Sequence, residues 1–464
     1  MKWIDSLSIV LFLVTILWIG LKASKRIFSN DDYLLAGRKV KKWPLAFSFA
    51  ATDLGGSGII GTLALTYSVG FSGGFWTLCA VPALVVLAFI VPRLFSGLNV
   101  TTIPEIFEKR YDKKTRVLVA ILHLIGTTMI IAAQNIVASI AISTLTGISF
   151  SLALIIATGV FIIYTTAGGL LAVIWTDMLM FFLLIAGVLV TLITLVYEIG
   201  GIEQIVNATP ENFWGFNGIS MMTVSAWVVM NIFLYSTTQP YIQRVFASRD
   251  KSSVKFAYCF TGVTYIVYGI MVTLLGIISY VLNPNILNSE YGSIETIFQN
   301  IPMGLSSLLL VIILSATMST CSSYLNGCAS IFTIDIYKRI LNPGANGRTC
   351  LRVAKISTLG IAFLSLVISY LPVGIVDIVV YGNIVYSAII FFPLIMGLTT
   401  KWVNATGAFY SILIGVITVF IYTVFFFDGQ IKQLYFIHPI FIASITSLVV
   451  LMIVSYLTRD KNFI

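Results

Sequence analysis

Six hydroxyls, Ser315, Thr317, Ser319, Thr320, Ser322 and Ser323, crowd nine residues of an otherwise apolar stretch. Positions 316, 319, 320 and 323 share one helical face, because steps of three and four residues return to the same side. Such a row of oxygens suits a hard cation such as sodium, which hydroxyls and unwound backbone carbonyls hold without burying another full charge. The same hydroxyls also bond to carbonyls one turn back in many apolar helices, so the row alone fixes no site. Two carboxylates, Asp53 and Asp177, sit deep in other apolar stretches. An acid there costs about 2.5–3.5 kcal/mol on insertion scales and calls for a function. Asp335 and Asp377 lie nearer stretch ends, within reach of water or headgroups, where a role as interfacial caps is at least as natural as a functional one. The only histidines are His123 and His438, so no transition-metal site is expected. Casting Ser57 as nucleophile and His123 as base would make an intramembrane enzyme, but the two sit at different depths and no orienting acid is evident. No catalytic residue is assigned.

The elements that must position these groups are long apolar runs. The 464 residues are 58% hydrophobic and 10% charged, with mean hydropathy +1.01, whereas soluble domains carry roughly 25% charged residues. A helix needs about 20 apolar residues to cross a bilayer. Thirteen runs qualify, numbered α1 to α13 in order: 3–21, 43–69, 74–95, 117–145, 149–165, 170–197, 220–242, 256–282, 303–334, 351–371, 375–398, 402–427 and 435–457. The expectation is an all-α integral membrane protein, a single transmembrane domain over residues 1–464.

A net charge of +9 would suggest nucleic acid in a soluble protein. Here the basic residues occupy alternate loops, so that 25 of 27 lysines and arginines fall on one side, leaving Lys2 and Lys432 on the other. That is the positive-inside pattern, with the N-terminus outside and the C-terminus cytoplasmic in a plasma membrane; no nucleic-acid partner follows from it. The run α1 lacks a small-residue cleavage site and is followed, not preceded, by its basic cluster, so it reads as a retained helix. Cys79, Cys259, Cys321 and Cys328 lie inside runs and Cys350 in a cytoplasmic loop, which implies no disulfide framework.

Two runs carry helix-breaking residues near their middles. In α2, FAATDLGGSGIIG clusters Gly55, Gly56, Gly58 and Gly61 after Asp53; in α7, YSTTQPYIQR places Pro240 where a helix needs a backbone donor. Five runs separate the breaks. That layout fits an inverted five-plus-five repeat, with halves at 43–197 and 220–398, in which the first helix of each half is unwound around a midplane site. The extra helix 3–21 precedes this core, and two helices over 402–457 follow it.

Five segments then carry a resemblance. YTTAGGLLAVIWTDMLMFFLLIAG at 164–187 and SATMSTCSSYLNGCASIFTIDIYKR at 315–339 resemble the sodium:solute symporter family, as do DYLLAGRKV, TTQPYIQR and KWVNATGA. The resemblance implies the leucine-transporter-type fold and a sodium site joining α2 to α9. Its ligands, carried over by motif, are the carbonyls of Ala51, Leu54 and Ala316 and the hydroxyls of Ser319 and Thr320. A second sodium site of some members maps onto Asp177, Ser319, Ser322 and Ser323, so one or two sodium ions per cycle are implied, and Asp53 matches an ion-coupling acid of the proline branch. The implied activity is sodium-coupled symport of a small organic solute into the cell by alternating access. The alternatives kept are proton coupling through Asp53 or Asp177, and a transporter-like sensor working through a separate partner. Beyond membrane lipids and a small-molecule substrate, the sequence calls for no obligatory protein partner.

Residues expected to face the breaks are Gly55, Gly56 and Ser57 on α2, Trp76 and Thr77 on α3, and Gln134 and Asn135 on α4. Tyr235, Thr237, Thr238 and Gln239 on α7 and Tyr381 and Asn383 on α11 complete the candidate substrate set. No Lys or Arg is expected deep in a run. The chain lacks the α4 arginine of sialic-acid-transporting members, lacks the α7 tryptophan of proline-type members, and has Met180 where glutamine usually follows WTD. Sugars, amino acids, monocarboxylates and vitamins stay open as substrates.

Overall fold

A computed structural model of the protein describes residues 3–27, 29–302, 304–371, 373–422 and 438–459. Lys2, Lys432 and Lys461, the end of the run 402–427 and the start of 435–457 lie outside them. All thirteen runs carry helix, and the only bridge of β type among the described residues is the isolated pair Val40–Ser248. Among the described residues, by length and apolarity alone nine helices can cross a membrane, or ten with the bent pair of α7. Thirteen spans are not reached by that measure, because Gly56–Leu94 counts as one stretch and the apolar parts of α1 and α5, Val10–Ser24 and Phe150–Ile163, are short.

The breaks fall where the sequence places them. Run α2 divides into α2a (Lys42–Asp53) and α2b (Gly56–Val69), joined through Leu54 and an extended Gly55 at φ −69°, ψ 162°. Run α7 divides into α7a (Met221–Thr237) and α7b (Gln239–Ala247), bent by 46°, with Thr238 extended between them. Pro240 stands in the first turn of α7b, where its missing N–H has no helical acceptor to lose. Runs α5 and α6 are continuous helix (Phe150–Ile199) except at Gly169, φ 54°. Unbroken, 50 residues would stretch about 75 Å, far beyond a hydrocarbon core. The left-handed backbone at Gly169 ends one span and begins the next, and a β-carbon there would run into the Tyr33 carbonyl.

Among the membrane-length helices α9 (Leu305–Ile331) is the most enclosed, packed against α4 (Lys113–Thr146), α6 and α2a. Hence it can carry hydroxyls. The outward faces of other spans, with Val85, Phe89, Ile155, Ile193, Val263 and Phe420 exposed, form an apolar belt that only lipid would cover.

A short helix, Ile103–Arg110, is opened by a capping box between Thr102 and Glu105 and packs on α4. Beside it α9 continues as a wide-turned π-helix, Phe332–Leu341. Asp335 is fully buried there and pairs with Arg116 at 2.6 Å, so it is an internal ion-pair partner and not the interfacial cap expected. Thr102 donates to the same carboxylate oxygen at 3.0 Å. Glu108 bridges Arg116, at 2.5 Å, and Arg339. Burial alone would raise the Glu108 carboxyl, but the hydrogen bonds and charges of the two arginines outweigh it and hold it below the usual carboxylate range. Asp377 does sit in the first turn of its helix, Ile375–Asn383, where the dipole favours an acid.

Candidate sodium and substrate site

Ending α2a at Asp53 leaves its last carbonyls without helical donors. The Gly55 N–H turns back to the Asp53 carbonyl at 2.7 Å. Across the gap, Thr320 on α9 donates to the Thr52 carbonyl at 2.8 Å and to Ala316 at 3.1 Å. The break of α2 therefore faces the hydroxyl row of α9. A β-carbon on Gly55 would stand 2.6 Å from the Thr320 hydroxyl, so only glycine permits this approach. Ala51, Leu54 and Ala316 are buried around the same point. Ser319 turns away from it and donates to Asp177 at 2.6 Å.

The second cluster is occupied by protein. Arg244, in the last turn of α7b, is fully buried, and its Nη2 donates to Asp177 at 3.0 Å, to Thr52 at 2.6 Å and to Ser323 at 2.7 Å. Its Nε donates to Ser48 at 3.0 Å and its Nη1 to the Pro240 carbonyl at 2.9 Å. Ser48 in turn donates to Asp177 at 2.5 Å, while Ser322 bonds back to the Ser319 carbonyl at 3.0 Å. This corrects the expectation that no arginine lies deep in a span. The run 220–242 stops short, because α7b continues to Ala247 with every residue from Gln239 onward buried.

Above the α2 break lies a cavity of ≈ 90 Å³. Gly55, Ser57, Trp76, Thr77, Gln134, Tyr235 and Asn383 line it, and so does Asp53. Each Asp53 carboxylate oxygen receives one phenol at 2.6 Å, from Tyr235 and Tyr241, and Tyr265 donates to its carbonyl at 3.0 Å. Asp53 is the one charged residue of the lining. Gln134 is braced by donating to Ser57 at 2.7 Å.

Other candidates are placed elsewhere. Gly56 packs against Thr317 and Val137, and Asn135 donates to Ser365 at 3.0 Å. Thr237 bonds back to Phe233, and Thr238 meets the Tyr386 hydroxyl at 2.9 Å. Tyr381 is not in the lining. Gln239 points away from the cavity: its Oε1 accepts from Ile103 N–H at 2.9 Å and its Nε2 donates to the Thr101 carbonyl at 3.0 Å, tying α7b to the start of the Ile103–Arg110 helix. His123 lies against the Thr237 carbonyl at 2.7 Å and the Val119 carbonyl at 3.1 Å, far from any role as base to Ser57. Tyr241, Tyr265 and Asn231, which line the cavity, and Arg244 escaped the sequence reading.

The sequence model of the Sodium:solute symporter family matches residues 33–415. The chain belongs to this family. Among relatives of the symporter, the Sodium/glucose cotransporter of Vibrio parahaemolyticus is 25% identical over 399 residues, covering 76% of this chain and 72% of that one. The high-affinity proline transporter PutP of Bacillus subtilis (strain 168) is 26% identical over 474 residues, 96% of each. The substrate-bound outward-open state of a Na+-coupled sialic acid symporter superposes with TM-score 0.86 at 22% identity, covering 100% of this chain and 99% of that one. The symporter thus has the leucine-transporter-type fold, is a multi-pass membrane transporter of a small solute and not an enzyme, and uses Na+ as its coupling ion.

Proposed function

We propose that this symporter takes up a small zwitterionic amine together with sodium, the ammonium group resting on Asp53. The carrying observation is the cavity's single charge: one carboxylate, oriented by two phenols, with no cation in the lining. Low-dielectric sites favour neutral sums. Asp53, one sodium ion and a zwitterion add to zero, whereas a monocarboxylate would leave a net negative site. The N-terminus of α2b offers the positive end that a substrate carboxylate would seek. The ≈ 90 Å³ cavity favours a small amino acid over the bulkier sugar. The proline transporter among the relatives agrees with that class.

Sodium in this reading is held by the carbonyls of Ala51, Leu54 and Ala316 and the hydroxyls of Ser319 and Thr320, with Ser319 turning from Asp177 toward the ion. It ties α2 to α9 and holds an outward-facing state that the substrate closes, and its loss to the cytoplasm frees α2a for release. Asp53 sits one residue from Leu54, so ion and substrate meet across one turn of chain. The N-terminus lies outside and the C-terminus in the cytoplasm of the plasma membrane, supported by the one-sided distribution of basic residues.

The test is a thermal-shift screen of purified protein with amino acids, monocarboxylates and sugars, with sodium or potassium, since a ligand that binds only the folded state raises apparent stability. Amino acids should stabilise only in sodium, and Asp53→Asn should abolish that shift. Stabilisation by sugars or monocarboxylates instead would refute the substrate class.

A further inference from the structure

We infer that Arg244 is a tethered cation occupying the place at Asp177 that a second sodium ion would take, so that the chain binds one sodium per cycle. The inference rests on the proposed ion site at the α2 break, which supplies the remaining sodium.

The Asp177 cluster has the makings of a cation site. One carboxylate and the hydroxyls of Ser48, Thr52, Ser319 and Ser323 converge from α6, α2a and α9, all buried. The guanidinium fills it. Nη2 alone touches three of these oxygens within 3.0 Å, and Thr52 and Ser323 already lie 2.8 Å apart. Ser322 faces its own helix and offers the cluster nothing. The Asp177 charge is therefore balanced, and a sodium ion entering beside it would leave an uncompensated positive charge in a buried place. Arg244 is also held from behind, through Nη1 on the Pro240 carbonyl at the start of its own helix. A guanidinium has no accessible neutral form and cannot vacate the cluster by losing a proton.

A fixed internal cation has a mechanistic use. With Asp177 paired to Arg244 whether or not sodium is present, this cluster exposes no naked carboxylate when the empty carrier returns. The transported charge then comes from the α2 site alone.

Equilibrium binding of radioactive sodium-22 to the purified full chain reads this directly and needs no organic substrate. The wild type should bind one ion per chain, lost in Ser319→Ala/Thr320→Ala and kept in Asp177→Asn. Arg244→Gln should bind two, and Asp177→Asn/Arg244→Gln one again. Two ions on the wild type, one of them lost in Asp177→Asn, would overturn the inference while leaving the α2 ion site standing. A single wild-type ion that survives the Ser319/Thr320 changes and disappears in Asp177→Asn would overturn it as well, since the carboxylate would then take sodium despite the arginine. The wild-type count and the Asp177→Asn count decide the matter even if Arg244 variants fail to fold.

Discussion

Thr320 is the one α9 hydroxyl that reaches the broken backbone of α2, donating to the Thr52 carbonyl at 2.8 Å. Removing one such oxygen is worth about 1.4 kcal/mol, or roughly tenfold in affinity. Thr320→Ala should therefore raise the sodium concentration for half-maximal uptake about tenfold, with Thr320→Ser close to wild type; an unshifted sodium curve would remove this residue from the ion site. Arg244 sets up a different experiment. Arg244→Met leaves Asp177 buried without its partner, a loss of about 3–5 kcal/mol, seen as reduced thermal stability in potassium buffer. Sodium should restore part of it, and so should Asp177→Asn in the same chain. The sequence pointed to Asp177 because an acid in the middle of an apolar run stands out. It hid Arg244 because a basic residue just past a span reads as a loop charge. The available signal was the dipeptide Gln243–Arg244 soon after Pro240: a half-helix that begins at a break must extend further before it leaves the membrane.

At the scale of elements, the two breaks were readable because glycine clusters and proline act locally on the backbone. The short helix Ile103–Arg110 was not, since its few charged residues resemble any loop until the capping box and the pairing of Glu108 with Arg116 and Arg339 are known. Those pairs join that helix to the far end of α9. Glu108→Gln should weaken the join by about 1–2 kcal/mol, between exposed and buried ion pairs, and speed exchange of internal sodium in proteoliposomes. The sign of the pH dependence follows from the lowered Glu108 carboxyl. A depressed acid stabilises the fold above its ordinary value of about 4.3 and loses that effect only as pH falls through the still lower folded value. The Glu108→Gln effect should consequently be equal at pH 5.5 and pH 8; an effect that vanishes at pH 5.5 would show that Glu108 is protonated there and the ion pairs already released.

For the whole molecule, ion stoichiometry fixes how steep a gradient the carrier sustains. One sodium ion moving down 100 mV and a tenfold concentration ratio supplies about 3.7 kcal/mol. That holds a net-neutral solute at about a 500-fold gradient, against about 10⁵-fold for two ions. Steady-state accumulation in tightly sealed vesicles under those conditions should level near the lower figure, and a plateau orders of magnitude higher would demand a second ion. The gross architecture was open to sequence reading because hydropathy and basic-residue bias act over whole runs. The pairing of Asp177 with Arg244 was not, because it depends on which charges fold against each other.

One glutamine has a practical consequence. Gln239 clamps the backbone N–H of Ile103 from the first turn of α7b. Any motion that lifts the inner half of α7 from its neighbour must release that proton to water. Deuterium uptake at this one amide would then serve as a clock for inward opening, slow while the clamp holds and fast once it parts. Each ligand could be ranked by how far it slows the clock, with no label attached to the chain.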